Sequence, residues 1–432
     1  VIRWGVKDFW GKVSKILLFG LILLIPTQLG RHFWFDWSSV LGIRIDYFSP
    51  TVYLIDLIWL GLVIFNFKFE IFNQFLKNKL FNFQNLMVFV FVLINVLIAQ
   101  NKWVAIYKWA RLGELFWFGW YVYKNKKLVW EILKKVIPVW LVVESLLALG
   151  QIAKGGSLNG LWWWLGERRF DFNTIGIAKI SIVDMGLVRA YGTFSHPNSL
   201  AGFLLVGLVW WIKIKTQNPL SLDKLGTFPL KRETLKNIYW WGVFWLGLMG
   251  IFLAGSRTVW MLTLGVIVFW ISKSGFEFKT KIKFGVLFLI LSLILIKIID
   301  FNYPLKNFLG GWDENGILKR GQLNLAAIEM IRESPWVGIG MGNYLVNLPK
   351  YLKTNYIFWL QPVHNIFLLL VSEIGLLGLM GMIWLSAKIK WNKLIKWDWI
   401  TLGIILVTGM VDHYWFTLPQ NMWLVALIIG LV

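Results

Sequence analysis

Long, nearly uninterrupted apolar runs constrain this chain more than any other feature. SKILLFGLILLIPTQLG (14–30), FQNLMVFVFVLINVLIA (83–99), SLAGFLLVGLVWWIKI (199–214), FGVLFLILSLILI (284–296) and HNIFLLLVSEIGLLGLMGMIWLSA (364–387) recur along it. Their lengths come close to the roughly 20 residues that a bilayer-crossing helix needs. They do not alternate apolar and polar positions in the period of two that a membrane barrel requires, so the backbone must be satisfied within helices. A hydrophobic share of 58% and an aromatic share of 17% lie outside the soluble globular range. The fold class is therefore all-α, a polytopic membrane protein.

Twelve spans are expected near residues 16–30, 51–66, 84–99, 103–123, 129–150, 199–212, 238–254, 258–272, 284–300, 364–387, 398–412 and 421–432. With the N-terminus in the cytoplasm, the cytoplasmic segments 1–15, 67–82, 124–130, 213–237, 273–283 and 388–397 hold 24 of the 44 Lys and Arg residues. That distribution obeys the positive-inside rule. The net charge of +22 then finds its partner in the anionic inner leaflet, and no nucleic acid is implied. Arg3, Lys7, Lys12 and Lys15 precede the first run as in a signal peptide, but no small-residue cleavage site follows, so that run reads as a retained span. Starting at Val1 and stopping within an apolar run at Val432 fits a fragment. The absence of cysteine excludes disulfides and thiolate metal sites.

Two extracytoplasmic loops, 151–198 and 301–363, are much longer than the other connections and are where function is expected. His32, His196, His364 and His413 all fall on this outer side. In the first loop, GLWWWLGERRF (160–170) reads first as an interfacial aromatic belt with snorkelling Arg168 and Arg169, and second as a sugar-stacking platform. The loop ends in RAYGTFSHPN (189–198). Its small polar residues suit a helix start, with Ser195 or Asn198 as cap and Pro197 fixing the turn, but this leaves Arg189 unexplained.

In the second loop, Leu323, Ala326, Ala327, Met330 and Ile331 recur with helical period, predicting an amphipathic helix on the outer surface. Ser334 and Pro335 end it, and GIGMGNY (338–344) reads as a flexible segment. Its glycine spacing lacks the strand and helix of a nucleotide-binding turn. His364 and Asn365 sit at the lip of the next span, with Glu373 deeper in it. Arg257 occupies a tight turn between apolar runs with no carboxylate nearby in sequence, a placement usually kept for an anion. Lys108, Arg111 and Glu114 share one face of the fourth span and either neutralise one another in part or line a polar cavity.

Together these motifs resemble the O-antigen ligase and polymerase superfamily. The residues that carry the resemblance are Arg189 to Asn198, Ser256-Arg257, Arg320 with Pro335 to Tyr344, and His364-Asn365 with Glu373 to Leu379. One departure is RGQLN after Arg320, where the pattern has an aromatic near Asn324. The resemblance implies a metal-independent, inverting GT-C glycosyltransferase, with no cofactor. Such an enzyme moves a glycan from an undecaprenyl-pyrophosphate carrier to a hydroxyl at the outer face of the bacterial inner membrane. The hydroxyl belongs to a lipid A core (ligase), a carrier-linked glycan (polymerase) or a protein (O-oligosaccharyltransferase), with the ligase ranked first. It makes Arg189 and Arg257, with Arg320 as a third candidate, the phosphate clamp and His364 the general base. Arg320, His196, Asn198, Ser256, Asn365, Lys108 and Arg111 are expected to bind substrate. It divides the chain into an N-terminal transmembrane region with the first large loop (1–188), a ligase-like core (189–387) and C-terminal helices (388–432). A transporter or flippase of lipid-linked sugars is the alternative from another class, and would show repeat symmetry and midplane charge.

Overall fold

The computed structural model describes residues 2–66, 83–182, 185–217, 229–273, 314–352, 360–387, 391 and 394–432. Its helices up to residue 217 are α1 (Ile2–Leu23), α2 (Leu54–Asn66), α3 (Phe83–Ile98), α4 (Lys102–Lys124), α5 (Lys126–Lys154), α6 (Leu161–Trp164) and α7 (Pro197–Gln217). Beyond it come α8 (Pro229–Leu253), α9 (Arg257–Lys273), α10 (Glu314–Glu333), α11 (Tyr344–Tyr351), α12 (Ile366–Ser386), α13 (Lys396–Gly409), α14 (Tyr414–Thr417) and α15 (Pro419–Leu431). Strands are confined to short antiparallel pairs: β1 (Gly30–His32) with β4 (Thr51–Tyr53), β2 (Ser39–Val40) with β3 (Ile43–Arg44), and β5 (Lys179–Ile182) with β6 (Met185–Val188). Register sets Gly30 opposite Tyr53 and Lys179 opposite Val188.

The protein is thus an all-α membrane protein. Among the described residues α5, α7 and α12 are long and apolar enough to cross a membrane, and segments of α2, α3, α8 and α15 are shorter apolar helices. Each expected span overlaps a helix except 284–300, which lies outside the described residues. The first is displaced. α1 ends at Leu23, before the turn that carries Pro26, because the residue preceding a proline disfavours helical backbone.

The chain forms two compact units. The first comprises residues 1–133, 318–394 and 409–432. Its core joins Val104 of α4 to Leu323, Ala326, Ala327 and Met330 of α10, Tyr344 and Leu348 of α11, and Leu369 of α12. The amphipathic face read from the sequence is therefore buried in this unit, while Arg320 and Leu325 on the other face are exposed. α4 also packs on α15, where the Phe118 and Trp423 ring centroids lie 4.9 Å apart.

Within this unit α12 breaks at Gly375, whose φ of 64° and ψ of −175° leave the helical region. The freed backbone is bonded by the glycine-rich segment: Ile339 N donates to Ser372 O (2.9 Å), Gly340 N to Glu373 O (3.1 Å), Leu376 N to Pro335 O (2.8 Å) and Leu377 N to Trp336 O (3.0 Å). Asn95 completes the joint. Its Nδ2 donates to Val337 O and Glu373 O, and its Oδ1 accepts from Met341 N and the Trp109 indole, all at 2.9 Å. GIGMGNY, expected to be flexible, is pinned instead, because a broken apolar helix must have its polar backbone groups satisfied by protein.

The second unit comprises residues 134–317 and 395–408. α7 is buried along most of its length against α5 and α8, with Trp140 and Phe203 rings 5.0 Å apart. At its far end Lys213 pairs with Asp398 of α13 at 2.6 Å.

Candidate active site

In the second unit the RAYGTFSHPN segment is held from beneath by two polar residues of the apolar helix α5. Glu144, 2% exposed, accepts from Thr193 N (3.0 Å) and Thr193 Oγ1 (2.7 Å). Gln151, 1% exposed, uses its whole bonding capacity: Oε1 accepts from Tyr191 N and Gly192 N, and Nε2 donates to Gly192 O and Glu167 Oε1. Gly192 has φ 57°, and a Cβ there would collide with the Glu144 carboxylate, so the tight turn needs glycine.

This scaffold changes the expected cap. His196 starts α7: its Nδ1 accepts from Asn198 N at 3.2 Å and its carbonyl from Ser199 N and Leu200 N. An accepting Nδ1 puts the proton of neutral His196 on Nε2, making that nitrogen a donor. Asn198 is thereby released from capping, and its Oδ1 receives Arg189 Nη2 at 2.6 Å. Arg189 Nε donates to Ala254 O at 2.9 Å, so the guanidinium bridges the start of α7 to the turn between α8 and α9. Three residues on, Arg257 opens α9 with its side chain exposed, beside the 7%-exposed Ser256. Among the described residues no salt bridge is made by Arg257. The unit thus gathers Arg189, His196, Asn198, Ser256 and Arg257 around one turn, offering N–H donors and positive charge to an anion.

The first unit holds the other expected base. His364 lies beside Asp412, with Nδ1 to Oδ1 at 3.7 Å, and its ring centroid is 5.2 Å from that of His413. Asp412 Oδ1 accepts from His413 N (2.8 Å), and the His413 Nδ1 hydrogen-bonds Thr417 Oγ1 (2.7 Å). His364, Asp412 and His413 bring ligand-type atoms within 4.8 Å of one another, a cluster that could hold a metal ion. The same geometry suits an imidazole oriented by a carboxylate. Asn365 caps α12, accepting from Phe367 N and Leu368 N.

Of the remaining expected residues, Arg111 is ion-paired with Asp56 (2.8 Å) and Glu114 (2.6 Å), which commits it to the unit's interior. Lys108 lines a pocket with Tyr47, Met341, Tyr344 and Glu373. Arg320 is on the exposed face of α10. Sequence reasoning passed over Glu144, Gln151 and Asp412. The first two carried a signal, polar residues seven apart on one face of an apolar helix, and Asp412 stands next to a histidine at the end of one.

Compared with known proteins, the chain matches the O-antigen ligase family over residues 242–383. That stretch contains Ser256, Arg257, Arg320, His364 and Asn365, while Arg189 to Asn198 precede it. The chain is also similar to a general O-oligosaccharyltransferase of Acinetobacter baylyi, with 25% identity over 234 residues. The aligned part covers 48% of this chain and 37% of that protein, so the chain spans well under half the length of this relative. No solved structure matches it. The family match, the relative and the ordered motifs agree, and over residues 242–383 this membrane protein is similar to the O-antigen ligase family.

Proposed function

We propose that the protein transfers a glycan from an undecaprenyl-pyrophosphate carrier to an acceptor hydroxyl at the outer face of the bacterial cytoplasmic membrane, by inversion and without a metal ion. The observation that carries this reading is the turn at Arg189, where a guanidinium is held in place by Asn198 Oδ1 and Ala254 O, three residues before the exposed Arg257. Departure of a lipid pyrophosphate concentrates negative charge on phosphate oxygens, and preorganised donors stabilise that charge without reorganising. Arg189 and Arg257 take this role, with the Nε2–H of His196 as a further donor. His364 removes the proton of the acceptor hydroxyl, and Asp412 orients its imidazole and stabilises the imidazolium. The 3.7 Å separation supports this pairing, since such bonds are often long before substrate binds. Arg320 and Lys108 contact the glycan or its acceptor.

The family match supports an O-antigen ligase reading, with a lipid A core as acceptor. The relative's name favours a second reading, oligosaccharyl transfer to a different hydroxyl, including one on a protein. Purified protein supplied with carrier-linked glycan and either acceptor should form the glycosylated product of one of them. Transfer should survive a chelator. Loss of activity with EDTA, restored by Mg²⁺ or Mn²⁺, would reject the metal-free mechanism, and failure with both acceptors would reject the transferase reading.

A further inference from the structure

The proposed function leaves the GLWWWLGERRF segment without a role, yet the fold ties it to the Arg189 turn. Glu167, beside two arginines in sequence, does not neutralise them. It is 3% exposed, and its carboxylate accepts from Leu158 N (2.7 Å), Asn159 N (2.7 Å) and Gln151 Nε2 (3.0 Å). Those three donors occupy both carboxylate oxygens and turn them away from a role as partner to Arg168. Gln151 binds Glu167 with the same amide group that bonds Gly192 O, so one side chain fixes the ERR segment and the motif turn together.

Arg168 is exposed, and its Nη1 lies 3.5 Å from Ser195 O, adjacent to His196. The charges of Arg168 and Arg189 both act on the buried Tyr191 hydroxyl, which burial nevertheless raises above its ordinary pKa. The next acid in sequence, Asp171, is occupied by Asn173 N and Thr174 Oγ1. Arg168 therefore forms no salt bridge among the described residues. Among the described residues no carboxylate pairs with its head group, which stands 3.5 Å from Ser195 O in the segment that presents Arg189.

From this we infer that Arg168 is a third arm of the donor site, a binding residue that reaches the pyrophosphate of the lipid carrier from the first large loop. This rests on the transferase reading given above. A planar guanidinium supplies two parallel donors to phosphate oxygens, whereas an ammonium offers a point charge. The contact is made to donor lipid before and during transfer, so its loss should appear in donor affinity and leave the chemical step largely intact.

The test measures binding of undecaprenyl pyrophosphate and of undecaprenyl monophosphate to the full chain in detergent, alongside donor KM and kcat in the transfer assay. Arg168→Gln should weaken pyrophosphate-lipid binding and raise donor KM by about 10- to 100-fold, the range for losing a hydrogen bond between charged groups. It should change kcat by no more than about twofold, as expected when uniform binding is removed. Arg168→Lys should fall between, and Arg332→Gln, at an exposed pair with Glu329, should bind like the wild type. Elution as a single folded species controls for misfolding. Unchanged pyrophosphate-lipid affinity in folded Arg168→Gln overturns the proposal, as does a loss confined to kcat. If the wild type binds the lipid pyrophosphate but transfers to no acceptor, the transferase reading fails while the Arg168 contact stands. If wild type binds neither the lipid nor inorganic pyrophosphate, the contact itself is rejected.

Discussion

Asn198 occupies a helix start where its side chain would normally cap the backbone, but the Arg189 guanidinium takes its carboxamide oxygen at 2.6 Å. His196 caps in its place. The exchange matters because a long arginine side chain loses considerable rotamer freedom when fixed, and a site that must meet charge at the moment of reaction benefits from having it fixed beforehand. Arg257 is different, exposed and without a hydrogen-bond partner among the described residues, so its order would come from the phosphate itself. Arg257→Lys keeps the charge but loses the planar fork. Transfer per folded molecule should fall about 100- to 1000-fold, the roughly 2.7–4 kcal/mol typical of removing one donor to developing charge. His364→Ala should cost about 100- to 10000-fold if its imidazole is the general base. Initial rates normalised to the folded peak in fluorescence-detected chromatography check both, and near-normal transfer by folded variants would reject the assigned roles.

At the scale of elements, the joint between α12 and the 335–341 segment is the least ordinary part of the first unit. A helix interrupted inside an apolar stretch leaves N–H and C=O groups without intrahelical partners. Here four backbone bonds and the Asn95 amide satisfy them. Asn95→Ala would orphan the buried Met341 N donor, at a cost of about 1–3 kcal/mol, and remove the partner of the half-buried Trp109 Nε1. The unfolding midpoint of purified Asn95→Ala should therefore drop clearly below wild type. Equal midpoints for Asn95→Ala and wild type would show that the joint contributes little.

For the whole molecule, the distribution of Lys and Arg assigns sides that can be tested within the second unit. A cysteine replacing the exposed Asn173 should react with an impermeant thiol reagent in intact spheroplasts, and one at position 225, in the basic segment 213–237, should react only after lysis. The reverse pattern would invert the proposed orientation and remove the proposed donor site from the outer face. The helical class, the positions of most helices and the apolar face of α10 were legible in the sequence, since apolar run length and helical period are local properties, and so was the polar cluster 189–198 proposed for the site, because it interrupts them. Tertiary structure alone decided that Gln151 and Glu144 hold the Arg189 turn, that Glu167 is consumed by backbone donors and leaves Arg168 charged, that Asp412 faces His364, and that a glycine segment mends a break in α12. Each of these depends on which unsatisfied polar group meets which partner, from eight to about fifty residues away. Burial makes such a meeting compulsory, but no local pattern records the partner.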